Sequence, residues 1–208
     1  MRAVPRWIQL PLLLALLLLA APPAAGARTT IVCLGDSLTE GYGVDPQRAW
    51  PALLEQRLRE LGHGEVRVVN AGISGATSAS AVSRLRWQLK ARPDVLILAL
   101  GANDGLRGLD LAQTRRNLGE AIALAKQSGL RVLLAGMKIP PNYGPDYTRD
   151  FERLFPELAL REGVPLIPFL LEGVAADPSL NLPDGIHPNA RGYERVVETV
   201  LERLLPLL

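Results

Sequence analysis

The chain has 208 residues and is nearly balanced in charge, with 23 Lys and Arg residues against 21 Asp and Glu residues. This balance gives no argument for a nucleic-acid partner or for any other strongly anionic partner. Cys33 is the only cysteine, which excludes an internal disulfide, and its place in an apolar run predicts a buried packing residue.

The first 27 residues have the pattern of a secretory signal peptide. Two arginines precede an apolar stretch over 10–21, and the small residues Ala25 and Ala27 follow it. The stretch is shorter than the roughly 20 residues that cross a bilayer, although an uncleaved membrane anchor is the alternative. We expect cleavage after Ala27, or after Ala25, and export of residues 28–208 to the periplasm or the medium without stable membrane insertion.

Beyond the signal peptide, continuous apolar runs alternate with amphipathic segments of helical spacing. In chain order, the predicted elements are a strand at 29–34, a helix at 49–61, a strand at 65–69, a helix at 80–89, a strand at 94–100, a helix at 111–127, a strand at 130–135, a helix at 146–161, a strand at 164–169 and a helix at 189–205. Pro156 predicts a break in the fourth helix, and Pro165 and Pro168 weaken the last strand. Strands separated by helices predict one domain with a parallel sheet covered on both faces.

Polar or glycine-rich segments follow four of the predicted strands. They read GDSL, NAGISGATS, GANDG and MKIPPNYG. Because sites in open parallel sheets form beyond the carboxyl ends of the strands, we expect these segments to meet in one site. A phosphate site is excluded for the first segment, since GDSLTEGYG lacks the spacing of a P-loop or a dinucleotide turn, and Asp36 and Glu40 would repel a phosphate.

A nucleophilic serine needs a base within hydrogen-bond reach and a group that orients the base. The chain has two histidines, and His63 lies in a Gly-His-Gly turn that predicts a solvated residue. His187 follows Asp184 by three residues, and a tight turn can place a carboxylate beside an imidazole at that spacing. Alone, the pattern equally describes a loop in which Asp184 forms the turn. Combined with Ser37 in GDSL, it indicates nucleophilic catalysis.

Two other strand ends offer hydrogen-bond donors for a developing oxyanion. The segment 70–75 is rich in glycine, whose N–H can approach a substrate closely, and the segment 101–104 contains an Asn, whose amide is a neutral donor. Taken singly, each segment is better interpreted as a turn that ends a strand. Their order along the chain, together with the serine and histidine motifs, favours a catalytic site.

These motifs together resemble the four blocks of the SGNH, or GDSL, hydrolase family. The matching residues are GDSL at 35–38, Gly75 of ISG, Asn103 of GAND and the Asp-x-x-His-Pro motif at 184–188. The strings AWPALL, NDGLRG, PPNYG and DGIHPN extend the resemblance over the region after the signal peptide. The chain is most similar to the exported bacterial thioesterase, lysophospholipase and arylesterase branch of this family.

The resemblance implies a flavodoxin-like three-layer α/β/α sandwich, with a five-stranded parallel sheet in the order 2-1-3-4-5. It implies Ser37 as nucleophile, His187 as base and Asp184 as orienting carboxylate. It also implies an oxyanion hole formed by the Ser37 N–H, the Gly75 N–H and the Asn103 side chain, with no metal or organic cofactor. The chain departs from its relatives at Ala76, where they often carry an acidic residue in a loop that moves on substrate binding.

We expect a serine esterase that acts on aryl or fatty acyl esters, acyl thioesters and lysophospholipids, as a monomer. Apolar residues of the loops would line the groove for the acyl chain, or else pack against the domain: Ile73, Ala76, Leu106, Leu109, Ile139, Pro140, Pro141 and Tyr143. The alternatives are a carbohydrate deacetylase or acyltransferase on the same scaffold, and a non-enzymatic flavodoxin-like binding module.

Overall fold

The computed structural model describes residues 29–208, so the predicted signal peptide lies outside the described residues. The predicted apolar runs form one sheet in which all neighbouring strands are parallel. The strands are β1 (Thr29–Gly35), β2 (Val66–Gly72), β3 (Val95–Ala99), β4 (Arg131–Ala135) and β5 (Leu166–Ile167). Their spatial order is β2-β1-β3-β4-β5, which confirms the predicted order.

The helices lie on both sides of this sheet, which confirms the three-layer α/β/α fold. They are α1 (Ser37–Glu40), α2 (Trp50–Glu60), α3 (Ala81–Gln88), α4 (Ala102–Leu106), α5 (Leu111–Gln127), α6 (Pro145–Glu162) and α7 (Ala190–Leu204). Helix α2 packs against α7, whereas α3, α5 and α6 pack in succession against one another. Across residues 29–208, no helix is long and apolar enough to cross a membrane.

The central strands β1 and β3 are continuously apolar because they are covered from both faces. All of β3 is buried, and in β1 only the first two residues are partly exposed. Cys33 of β1 is fully buried, which confirms its packing role, and desolvation raises the pKa of its thiol. The core therefore surrounds β1 and β3, and β1 leads directly to the GDSL turn.

The predicted break at Pro156 is wrong, because α6 continues without interruption from Pro145 to Glu162. A proline inside a helix costs about 3 kcal/mol. Helix α6 offsets this cost by burying four large apolar side chains, each of which stabilises the fold by roughly 1.5–3 kcal/mol. These side chains are Phe151, Leu154, Phe155 and Leu158.

The last strand is shorter than the prediction of 164–169. Strand β5 contains two residues, and it pairs with β4 through Leu166 and Ile167. Pro165 and Pro168 flank it, and neither has an N–H to donate to a neighbouring strand. The weakening by proline was therefore predicted correctly, but its effect is to limit the strand to the residues between the prolines.

Candidate active site

Ser37 lies where β1 turns into α1, at the carboxyl edge of the sheet. Strand β1 ends at Gly35, and Asp36 caps the helix by accepting a hydrogen bond from the Leu38 N–H at 3.0 Å. Glycine is required at position 35 because a Cβ there would overlap the side chain of Thr39. The turn therefore presents Ser37 as the first residue of a short helix, beyond the end of the central strand.

Two charged groups lie beneath this turn. Asp36 is 2% exposed, and desolvation raises the pKa of its carboxyl to about 6, although the hydrogen bond from the Leu38 N–H opposes that shift. Arg84 of α3 donates a hydrogen bond to the Gly35 carbonyl at 2.9 Å and another to the Ala71 carbonyl. It thus joins the carboxyl ends of β1 and β2.

Sequence reasoning did not single out Arg84. The helical spacing could have indicated it, because Arg84 follows the buried Ala81 by three residues and therefore lies near the inward face of α3.

The structure brings Ser37, His187 and Asp184 together. His187 Nε2 lies 2.9 Å from Ser37 Oγ, and His187 Nδ1 lies 2.8 Å from Asp184 Oδ2. Because an ionised carboxylate can only accept, Nδ1 carries the proton and Nε2 is free to accept from the serine hydroxyl. The three side chains form a continuous chain of hydrogen bonds from a carboxylate to a hydroxyl.

The turn that begins at Asp184 fixes the histidine. Asp184 Oδ1 accepts hydrogen bonds from the backbone N–H groups of Ile186 and His187, each at 3.0 Å, while Oδ2 faces the imidazole. Desolvation opposes ionisation of Asp184, but these hydrogen bonds together outweigh it and lower the pKa of Asp184 to about 2. The carboxylate is therefore ionised at neutral pH and holds the proton on Nδ1.

Gly75 and Asn103 face the same cavity as Ser37. Gly75 has a φ of 74°, in the left-handed region that favours glycine. Asn103 Nδ2 donates a hydrogen bond to the Ala76 carbonyl at 3.1 Å. An amide has two N–H groups, so this bond orients the Asn103 side chain and leaves a second donor.

The loop that carries Gly75 is held from two sides. Glu40 of α1 accepts a hydrogen bond from the Ser74 N–H at 2.6 Å and also contacts the Ser74 hydroxyl. On the other side, Arg107 donates to the Gly75 carbonyl at 2.9 Å. Glu40 thus ties the loop to the helix that begins with Ser37, and Arg107 ties it to the end of α4.

Asp104, the residue after Asn103, is a buried carboxylate that sequence reasoning did not assign. It is 2% exposed and accepts hydrogen bonds from the Ser78 N–H at 2.8 Å, the Ser78 hydroxyl at 2.5 Å and the Thr114 hydroxyl at 3.1 Å. It joins α4, α5 and the segment after Gly75. The sequence does contain a hint of this role, because the GAND motif, which directly follows a predicted buried strand, contains an acidic residue.

A cavity of about 250 Å³ opens beside Ser37 and His187. Most of its wall is apolar. Its lining residues are Asp36, Ser37, Leu38, Tyr42, Ser74, Gly75, Ala102, Asn103, Leu106, Met137, Lys138, Pro140, Leu171, Ile186 and His187. Lys138 adds a cation, which also lies 3.2 Å from Glu152.

The residues predicted for the acyl groove are only partly at this cavity. Leu106 and Pro140 line it. Six others do not line it: Ile73, Ala76, Leu109, Ile139, Pro141 and Tyr143. Among the six, Ile139 is buried in the core, and the Tyr143 hydroxyl donates a hydrogen bond to the Leu106 carbonyl at 2.9 Å.

Sequence reasoning missed several apolar lining residues from other elements: Leu38, Tyr42, Met137, Leu171 and Ile186.

The second histidine, His63, does not line the cavity. It is an exposed residue in the turn between α2 and β2, as predicted. In the part of the chain that the structure describes, no group of three or more His, Cys, Asp or Glu side chains is arranged to hold a metal ion.

Comparison with known proteins gives matches over most of the chain. The model of the GDSL-like Lipase/Acylhydrolase family matches residues 33–195. Esterase TesA of Pseudomonas aeruginosa is 42% identical over 183 residues, which cover 88% of this chain and 90% of that protein. Thioesterase 1/protease 1/lysophospholipase L1 of Escherichia coli K12 is 38% identical over 185 residues, covering 88% of this chain and 87% of that protein.

Solved structures agree with the sequence matches. A crystal structure of TesA superposes with a TM-score of 0.83 at 42% identity, covering 86% of this chain and 100% of that chain. The psychrotrophic esterase EstA from a Pseudoalteromonas species, inhibited by monoethylphosphonate, gives a TM-score of 0.81 at 29% identity, covering 86% of this chain and 98% of that chain. Together with the GDSL turn and the Asp-x-x-His turn, these matches establish that the chain belongs to the GDSL-like lipase/acylhydrolase family.

Proposed function

We propose that this protein is a serine esterase that forms an acyl-enzyme on Ser37. The observation that carries the proposal is the hydrogen-bonded chain from Asp184 through His187 to Ser37 Oγ, with both distances below 3 Å. A nucleophile, its base and an orienting carboxylate in this geometry are the arrangement that activates a serine hydroxyl. The names of the relatives, which include esterase, arylesterase and thioesterase, agree with this chemistry.

Acylation begins when Ser37 Oγ attacks the carbonyl carbon of the ester. His187 Nε2 accepts the hydroxyl proton as the new C–O bond forms, and Asp184 stabilises the resulting imidazolium. When the tetrahedral intermediate collapses, the bond to the leaving group breaks, and His187 donates its proton to the departing alcohol or thiol. General acid–base transfer of this kind contributes about 10²- to 10⁴-fold in rate.

The oxyanion of the tetrahedral intermediate is held by three donors on different elements. They are the Ser37 N–H at the start of α1, the Gly75 N–H after β2 and the Asn103 side chain in α4. The Asn103 amide is already oriented by its bond to the Ala76 carbonyl, so little reorganisation accompanies the reaction. Preorganised donors of this kind are usually a large part of the catalytic effect.

Deacylation repeats these steps with water. His187 takes a proton from the water as its oxygen attacks the acyl carbon, and then returns a proton to Ser37 Oγ as the acid leaves. His187 makes each proton transfer in this sequence, and Asp184, whose pKa is lowered to about 2, remains the ionised carboxylate beside it.

The cavity favours an apolar acyl group over a sugar. Most of its wall surface is apolar and comes from residues that include Leu38, Leu106, Met137, Leu171 and Ile186, and several of its polar side chains already belong to the reacting groups. Aryl or fatty acyl esters are the proposed substrates, and thioesters and lysophospholipids belong to the same proposal because relatives carry those names. A carbohydrate deacetylase or an acyltransferase is the second candidate, since the same acyl-enzyme serves both.

We also propose that the protein is exported as a monomer after cleavage behind Ala27, with Ala25 as the alternative position. The basic, apolar and small-residue order of residues 1–27 supports export to the periplasm or the medium. Amino-terminal sequencing and gel filtration of the protein recovered from an expressing cell test this. A retained apolar stretch would contradict cleavage, and elution as a stable dimer would contradict the monomer.

The experiment that tests the function measures hydrolysis of p-nitrophenyl esters of rising acyl chain length. We expect Ser37→Ala to abolish turnover on every ester, while Ser83→Ala, which removes an exposed serine hydroxyl of α3, leaves it unchanged. Near-normal hydrolysis by Ser37→Ala would overturn the proposal. Activity confined to the acetyl ester would favour the deacetylase, and transfer to an added alcohol in preference to water would favour the acyltransferase.

A further inference from the structure

Tyr42 packs against the imidazole of His187. The centroids of the two rings are 4.6 Å apart, and the ring planes are inclined by 40°. Tyr42 is 51% exposed and lines the cavity, so one part of its ring covers the histidine while the rest faces solvent or substrate. The contact joins the segment that follows α1 to the turn that carries the base.

Two glycines set the position of Tyr42. Gly41 ends α1 with a φ of 90°, and Gly43 has a φ of 77°, so both adopt the left-handed region. A Cβ on Gly43 would overlap the side chain of Leu182, whose N–H donates to the His187 carbonyl at 2.7 Å. The Glu-Gly-Tyr-Gly segment is therefore fitted to the turn of His187 at two points, through the Tyr42 ring and through Gly43.

We infer that Tyr42 is a positioning residue for His187, a role that rests on the proposed function. Two side-chain hydrogen bonds hold the imidazole at rest, one to Asp184 and one to Ser37 Oγ. The bond to Ser37 is lost once the serine carries the acyl group, and the ring can then swing about the remaining bond to Asp184. The Tyr42 ring occupies one side of the imidazole and restricts this motion, which keeps Nε2 directed at Ser37. An aromatic ring within about 6 Å also attracts a cation, so Tyr42 favours the imidazolium that forms when Ser37 loses its proton.

A residue that positions the base and a residue that only forms part of the cavity wall affect the kinetic constants differently. A residue that only contacts the acyl chain changes KM, and its effect grows with chain length. A residue that positions the base changes kcat on all esters alike, including an acetyl ester that is too short to need the wall. The aromatic ring is the required part of Tyr42, whereas its hydroxyl is not.

The test compares Tyr42→Leu, which keeps apolar bulk, with Tyr42→Phe, which keeps the ring. On p-nitrophenyl acetate, we expect Tyr42→Leu to lower kcat about three- to tenfold with KM nearly unchanged, and Tyr42→Phe to stay within about twofold of the unsubstituted protein. The rate at which a fluorophosphonate labels Ser37 should fall by the same factor in Tyr42→Leu. Trp87→Leu removes an exposed ring from α3 and is the control for loss of a surface aromatic.

The outcomes separate this role from the proposed function. If the unsubstituted protein labels at Ser37 and Tyr42→Leu labels equally fast, the role of Tyr42 is overturned and the esterase proposal stands. A rise in KM with unchanged kcat in Tyr42→Leu also overturns it. If the unsubstituted protein neither labels nor hydrolyses esters, both proposals fail. Circular dichroism of each variant gives the folded fraction to which the rates are normalised.

Discussion

The buried carboxyl group of Asp36 leads to a prediction about stability and pH. Desolvation raises its pKa from 3.8 to about 6, although the hydrogen bond from the Leu38 N–H favours the ionised form. In the unfolded chain the group ionises near 3.8, whereas the folded protein keeps the proton until about pH 6. The free energy of unfolding that Asp36 contributes therefore falls as the pH rises from about 4 to 6, and it stays low at higher pH.

The size of this effect follows from the two pKa values. One pKa unit corresponds to about 1.36 kcal/mol, so a shift from 3.8 to about 6 corresponds to about 3 kcal/mol. Asp36→Asn removes the charge but keeps an oxygen that can accept from the Leu38 N–H. The substitution should therefore be more favourable at pH 8 than at pH 3, by about 3 kcal/mol in the free energy of unfolding.

Urea denaturation at several pH values measures this difference, and subtracting the unsubstituted protein removes the contribution of the other titrating groups. Asp177→Asn is the matched control, because hydrogen bonds from Ser179 lower the pKa of Asp177. Its ionised form stabilises the fold, so that substitution should be less favourable at pH 8 than at pH 3. An effect of Asp36→Asn that is equal at the two pH values would refute the reasoning from burial.

Three further substitutions probe the segments around Ser37. Asn103→Ala removes an oxyanion donor and should lower kcat about 10²- to 10³-fold, with only a small fall in melting temperature from the lost bond to the Ala76 carbonyl; an effect on kcat below about threefold would contradict that role. Asp104→Ala leaves the Ser78 N–H and hydroxyl without their acceptor, while the Thr114 hydroxyl keeps the Asp110 carbonyl; it should lower the free energy of unfolding by at least about 2 kcal/mol in urea, whereas a neutral result would contradict its part in joining α4 to α5. Gly72→Ala places a Cβ against the backbone nitrogen of Glu40 and should lower both the melting temperature and the activity. Gly64→Ala, whose Cβ meets open space, is the control, and equal melting temperatures of the two variants would refute the steric argument.

Much of the fold was predictable because burial on both faces leaves a clear sequence pattern. Strand β3 is continuously apolar, and α5 has the predicted bounds, Leu111–Gln127, because Asp110 caps its first turn and a glycine follows its end. The break at Pro156 was mispredicted because the local penalty is visible in the sequence, whereas the burial of Phe151 and Phe155 that offsets it is visible only in the packed structure.

The cavity was less predictable than the hydrogen-bonded chain at Ser37. The short motifs contain Ser37, Asp184 and His187 themselves, but the direction of a loop side chain depends on contacts with distant segments. Ile139 points into the core beside Gly105, whereas its neighbour Pro140 lines the cavity. No local pattern separates these two residues, since both are apolar and adjacent.

The central claim is that Ser37 forms the covalent intermediate, and labelling by a fluorophosphonate measures this most directly. Peptide mass spectrometry should locate one adduct on Ser37, formed with loss of fluoride, and hydrolysis should fall in proportion to the labelled fraction. Ser37→Ala should remain unlabelled and inactive. Stoichiometric labelling at another residue, or ester hydrolysis that persists in the fully labelled protein, would contradict the account.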